Sequence, residues 1–230
     1  MKQIVCISML CLIFFSLPTI VDSQILVRIP VPYVSQTPLK RWVRPWSEAC
    51  EEASIMMVDQ YYLGNTSVSI TKARAYLSSL FTWENLVFGY NQDTNAEEIL
   101  QTIQDKASFQ ATIVRAPTLE EIKQQLEDNH PVISLHYGVD LFKDSNTWLR
   151  NSPYHVIVLI GFDDKRQVFI AQDPARNGYS MIGLRYAQTP YYRSFTYSYE
   201  TIMSSLHDFD HTTVIADGLP TVIFTQQKAI

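Results

Sequence analysis

The segment Tyr154–Phe162, Tyr-His-Val-Ile-Val-Leu-Ile-Gly-Phe, constrains the fold of this 230-residue chain more than any other stretch. Its β-branched residues suit a pleated, extended backbone and disfavour a helix. It is apolar on both faces, so it must be covered on both sides, which is the situation of a central strand. Asp163-Asp164-Lys165-Arg166 then turns the chain, and Gln167 to Gln172 returns as a partner strand, which makes a hairpin.

The rest of the chain supplies partners for that hairpin. Ile25 to Pro30 reads as a short strand, and Pro30, Pro32, Pro38 and Pro45 keep the following stretch irregular. From Ser47 to Tyr62, apolar residues at Ala49, Ala53, Met56, Met57 and Tyr61 have helical spacing, with a stop at Gly64. Thr71 to Leu80 predicts a second helix. Asn95 caps a third, with Ile99, Leu100 and Ile103 on one face, and Thr118 with Glu121 forms a capping box for a fourth that ends near Asn129. Pro131 to His136 reads as a strand, Tyr199 to Leu206 as a short helix, and Val214-Ile215 and Thr221 to Thr225 as further strands. Helices first and mostly sheet afterwards predict an α+β fold, an N-terminal helical half packed on a C-terminal antiparallel sheet.

Met1-Lys2 followed by an apolar run from Ile4 to Val21 and then Asp22-Ser23 has the layout of a secretory signal peptide, residues 1–23, or of an uncleaved anchor. Residues 24–230 are then expected to form one domain, and the protein to be secreted or held at the cell surface, attached to membrane only through residues 1–23. A net charge of −5 gives no basic surface for nucleic acid. Lys40, Arg41 and Arg44 make one small basic group, read as a solvated loop.

The chain has three cysteines, and Cys6 and Cys11 are expected to leave with residues 1–23. A single remaining cysteine, Cys50, forms no disulfide within the chain, so it is either an inert buried side chain or a reactive thiol. It sits at the expected start of a helix, where orphan backbone N–H groups favour thiolate. A thiol nucleophile needs a base, and the base needs an orienting group. Of five histidines, His130 reads as a turn residue and His136 as the end of a strand, whereas His155 opens the most apolar strand and must be satisfied or functional. Asp173 ends the return strand of the hairpin, which predicts it beside His155. The Cys50 backbone N–H and the Gln36 side-chain amide are candidate donors for a developing oxyanion.

Four motifs occur in order: Val31-Pro32-Tyr33-Val34-Ser35-Gln36, Ala49-Cys50-Glu51-Glu52-Ala53-Ser54, Tyr154 to Asp163, and Gln172-Asp173-Pro174. Together they resemble the bacterial papain-fold cysteine peptidases related to the bacteriocin double-glycine leader peptidases, from about Pro30 to His207. The resemblance implies a papain-like fold and a thiol peptidase with Cys50 as nucleophile, His155 as general base, Asp173 as orienting residue and Gln36 as oxyanion donor. It implies a peptide or protein substrate and no cofactor or metal. Glu51-Glu52 departs from the Gly-Pro that often follows the family's cysteine. These carboxylates would raise the thiol pKa, or Glu51 would turn away to the helix N-terminus. Two alternatives are therefore a catalytically silent peptide-binding module and a related thiol acyltransferase or cell-wall peptide amidase. With no fused transporter in the chain, bacteriocin maturation is not carried over.

Three other features rank lower. His207-Asp208-Phe209-Asp210-His211 has metal-ligand residue types without zinc-site spacing. Asn65-Thr66-Ser67 is a glycosylation sequon. The tyrosine-rich stretch Tyr186 to Tyr199 suits packing or a groove wall.

Overall fold

The computed structural model describes residues 25–143, 148–176, 194–209 and 218–228. The expected strand at Val214-Ile215 and the expected signal segment 1–23 lie outside them.

One antiparallel sheet organises the described residues. Its strands are β1 (Leu26–Arg28), β2 (Phe109–Arg115), β3 (Val132–His136), β4 (His155–Asp163), β5 (Val168–Gln172), β6 (Phe195–Ser198) and β7 (Thr221–Gln227), in the order β2-β7-β3-β4-β5-β6, with β1 added to β4. The expected central strand is central: β4 pairs with β3, β5 and β1, and every residue from His155 to Phe162 is buried. Gly161 is required where β1 crosses it, because a Cβ there would lie 2.1 Å from the Val27 carbonyl oxygen. The β4–β5 register shifts between Leu159 and Gly161. His155 therefore opens β4 as Asp173 leaves β5.

The helices are α1 (Cys50–Tyr62), α2 (Ile70–Val87), α3 (Ala96–Lys106), α4 (Leu119–Glu127), α5 (Gly138–Leu141) and α6 (Tyr199–Ser205). The capping boxes at Asn95/Glu98 and Thr118/Glu121 close the N-termini of α3 and α4. Several elements differ from the sequence expectation, among them α2 and β2, and the short helix α5 and the strand β6 have no counterpart in it. α2 continues past Leu80 to Val87, because Phe81 and Glu84 lie on the same buried face as Leu77 and Leu80. Tertiary burial outweighs the weak helix preference of Phe81-Thr82-Trp83. β2 was not foreseen, since it is an edge strand with only Phe109 fully buried, which leaves a faint period-two signal.

α1 is the buried centre of the helical half. It packs on β4 with one side while α2 and α3 cover the other, so every residue from Cys50 to Gln60 is buried. That burial takes in the thiol and the acidic side chains Glu51, Glu52 and Asp59. Asp59 is satisfied by the Ser108 backbone N–H and hydroxyl, both at 2.7 Å.

Candidate active site

A cavity of about 430 Å³ opens where the start of α1 meets the start of β4. Gln36, Cys50 and His155 all line it, with Trp42, Ser47, Glu48, Asp93, Leu149 and the 151–154 segment around them. Cys50 is the first residue of α1, where backbone N–H groups lack intrahelical partners. His155 is the first residue of β4. The site therefore joins two element ends more than a hundred residues apart.

His155 Nε2 donates to Asp173 Oδ1 at 2.8 Å. This fixes the Nε2–H tautomer and leaves Nδ1 with its lone pair free of the carboxylate. Asp173 is fully buried and multiply held: Oδ1 also accepts from the Ala175 backbone N–H at 3.0 Å, and Oδ2 accepts from the Tyr197 hydroxyl at 2.6 Å. Arg176 donates to the Tyr197 hydroxyl at 3.3 Å and stacks over the Phe195 ring. Burial by itself would push the Asp173 carboxyl up. The His155 ring, its hydrogen bond, the Tyr197 hydroxyl and Arg176 outweigh burial and hold it below the ordinary carboxylate range. Tyr197 belongs to the stretch read from sequence as packing or groove wall, and its hydroxyl does more than pack. Only the pairing of β5 with β6, which sets Phe169 opposite Tyr197, brings it to Asp173.

Gln36 is nearly fully buried. Its Nε2 donates to the Ser47 carbonyl at 2.9 Å and makes a longer contact of 3.4 Å to the Trp46 carbonyl. Its backbone N–H donates to the Pro174 carbonyl at 3.1 Å, tying the Gln36 loop to the turn after Asp173.

The thiol has a different partner from the imidazole. Cys50 Sγ donates to Glu51 Oε2 at 3.0 Å. In this state sulfur and ring face the same cavity without a hydrogen bond between them. Glu51 does not turn away as one sequence reading had it. Its other oxygen accepts from the Thr94 backbone N–H at 3.0 Å, in the loop before α3, and this holds the carboxyl against the sulfur. Burial, Glu51 and Asp93 together push the Cys50 thiol well above its ordinary pKa, while a hydrogen bond with the Val156 backbone pulls it down. The Val156 contact sets the sulfur beside the first residues of β4.

Behind Glu51, the carboxyls of Glu52 on α1 and Glu84 on α2 face each other in the core, each about 1% exposed. Burial first raises both, Glu52 well above the usual Glu range. Glu84 and Glu51 add to the rise of Glu52, while for Glu84 burial and the Glu98 charge outweigh the lowering by its hydrogen bonds with Glu52 and Thr102, so the pair retains a proton that it lacks when unfolded. With more protons bound in the native state, stability is full below the unfolded Glu pKa and is lost as pH rises through the folded values. Urea midpoints should therefore fall from mildly acidic to alkaline pH. Glu84→Gln should remove about 1.4 kcal/mol per pH unit of that slope wherever one proton is at stake. An unchanged slope in the variant would refute the shared proton.

His136, aligned with His155 across β3–β4, is not part of the cavity. Ser134 and Ser205 satisfy its two ring nitrogens at 2.6 and 2.8 Å, and burial lowers its pKa to about 3, so it stays neutral. In the 207–211 tract, Asp208 is committed to Arg115 and to the Ala96 backbone N–H at the start of α3, which is a structural use. Asp210 and His211 lie outside the described residues. Arg44 is exposed and pairs with Glu48, as a solvated loop residue would.

A papain-like α+β fold with a cavity-facing cysteine and histidine defines a class, the cysteine peptidases of papain type. The comparisons narrow it. The model of the Peptidase_C39 like family matches residues 28–204, and the chain belongs to that family. Among solved structures it resembles a Bacillus anthracis protein named for its likeness to C39 peptidases, with a TM-score of 0.53 and 16% identity, covering 89% of this chain and 99% of that one. At that identity the likeness carries the fold. No curated protein matches the chain.

Proposed function

We propose that the protein is an exported thiol peptidase, secreted or surface-attached through residues 1–23, that hydrolyses peptide bonds by a Cys50–His155–Asp173 triad. The observation that carries this reading is the cavity shared by Cys50, His155 and Gln36, with Asp173 buried behind the imidazole at 2.8 Å. His155 Nδ1 takes the thiol proton, and the sulfur lone pair forms a C–S bond with the substrate carbonyl carbon. The carbonyl oxygen gathers negative charge, met by the Cys50 backbone N–H and by the Gln36 side-chain amide, which exchanges its long 3.4 Å contact to the Trp46 carbonyl for the oxyanion while keeping Ser47. The tetrahedral centre collapses, the C–N bond breaks, and the imidazolium proton goes to the leaving amine. Water, deprotonated by His155, then hydrolyses the thioester and restores the thiol.

Acid quenching during peptide turnover, followed by intact-mass and peptide mapping, should find an acyl group on Cys50. Pre-treatment with iodoacetamide should abolish both the adduct and the cleavage. Cleavage that survives full alkylation of Cys50 would overturn the mechanism. The hydrogen bond from Sγ to Glu51 favours a second reading, a peptide-binding relative that does not turn over. In that case the thiol titrates at or above the ordinary value of about 8.5 and peptides bind without acylating it. Release of the acyl group to an added amine in preference to water would assign the related acyltransferase chemistry.

A further inference from the structure

Glu51 is the acidic residue that the family pattern does not anticipate, and it sits closest to the sulfur. Residues i and i+1 of a helix lie about 100° apart and do not ordinarily face each other. The Cys50–Glu51 contact is therefore imposed by the tertiary structure: the Thr94 N–H takes Oε1 and leaves Oε2 on Sγ, with the side chain about 1% exposed. The two carboxyl oxygens meet partners of different kinds. One faces a backbone N–H, which demands an acceptor, and the other faces sulfur, which as a thiolate demands a donor. A neutral carboxylic acid satisfies both, with its carbonyl oxygen on Thr94 and its hydroxyl on Cys50.

We propose that Glu51 acts as a neutral acid that donates its O–H to the Cys50 sulfur once the thiol proton has moved to His155. This deepens the peptidase reading by adding a fourth group to the nucleophile. The proton inventory balances: the thiol proton ends on His155 Nδ1, the carboxyl keeps its own proton, and the thiolate accepts from it. The O–H contact also holds the sulfur in a single position at the cavity wall. When the C–S bond forms, sulfur loses its charge and the O–H contact weakens without any proton leaving Glu51.

The surroundings favour the neutral form. Glu51 is faced by Cys50 and Glu52 on its own helix, Asp93 and Thr94 from the loop before α3, Glu84 from α2, and the Tyr154 hydroxyl, itself bonded to the Thr94 carbonyl at 3.0 Å, from the β4 side. Burial first and the Asp93 charge second hold the Glu51 carboxyl well above its usual range. A carboxyl in a poorly solvated site can stay protonated at neutral pH and serve as a donor.

The test reads the thiol directly, with the rate of iodoacetamide alkylation of Cys50 against pH in the full-length protein. Glu51→Gln retains a donor toward sulfur and should alkylate at pH 7 within about threefold of wild type, which is under half a pKa unit. Wild-type reactivity should lag behind Glu51→Gln at alkaline pH, where the carboxyl ionises beside the thiolate. Glu51→Ala should lose about tenfold or more at pH 7, the equivalent of one pKa unit. Infrared difference spectra of wild type against Glu51→Gln should contain a protonated-carboxyl C=O band at pH 7, a readout independent of whether Glu51→Ala folds. A Glu51→Gln protein ten times more reactive than wild type at pH 7, a Glu51→Ala protein as reactive as wild type, or absence of that band would each overturn the proposal. Alkylation does not depend on peptide turnover, so failure here is distinct from failure of the peptidase reading.

Discussion

Cys50→Ala should abolish peptide cleavage while leaving the fold in place. Removing the nucleophile of a covalent mechanism costs about 10⁵-fold or more in kcat, because the remaining donors stabilise a tetrahedral centre that has nothing to form it. The structural cost is small. Cys50 is a buried side chain of modest volume at the first position of α1, and its sulfur meets only the Val156 backbone and a carboxyl that keeps its Thr94 contact. The urea midpoint should move by no more than about 1 kcal/mol, as for a small truncation. Cleavage assays with circular dichroism on the same preparation check both halves. An Ala variant that still cleaves at a tenth of the wild-type rate would remove the covalent mechanism altogether.

Asp173→Ala should act on both quantities together. The carboxylate accepts from the His155 ring, the Tyr197 hydroxyl and the Ala175 N–H, all buried. Its loss strands these donors and leaves Arg176 facing a hydroxyl with no acceptor behind it. Breaking such a buried group costs about 3–5 kcal/mol of stability. The imidazole also loses the contact that fixes its tautomer, which in triads of this kind lowers kcat by about 10³- to 10⁴-fold. Kinetics at a temperature where the variant remains folded separate the two effects. Wild-type kcat in a folded Asp173→Ala protein would show that the carboxylate is structural only.

The parts of the site that sequence made legible are those that secondary structure carries. A hairpin with a tight turn sets the start of one strand near the end of the next, so the His155–Asp173 pairing follows from β4 and β5 alone. Cys50 at the start of a helix follows from apolar spacing and a stop at Gly64. Tyr197 was not legible as a partner of Asp173, because tyrosines in a run of aromatics give no sign of which hydroxyl turns inward. The β5–β6 register makes that choice. The buried carboxyl pair was equally hidden: Glu52 stands out in the sequence only for its place after the cysteine and Glu84 not at all, and only the packing of α2 on α1 makes them share a core position.

By itself the chain determined a central apolar strand, an α+β division, the helix that Cys50 opens and the hairpin behind His155, because backbone sterics and burial periodicity are local and act within a few residues. Which partner the sulfur meets was decided only in three dimensions. The loop before α3 arrives 43 positions beyond Glu51, and its Thr94 N–H turns that carboxyl onto the thiol. A hydrogen bond of that span depends on how α3 seats against α1, and no local preference of Glu51 encodes it.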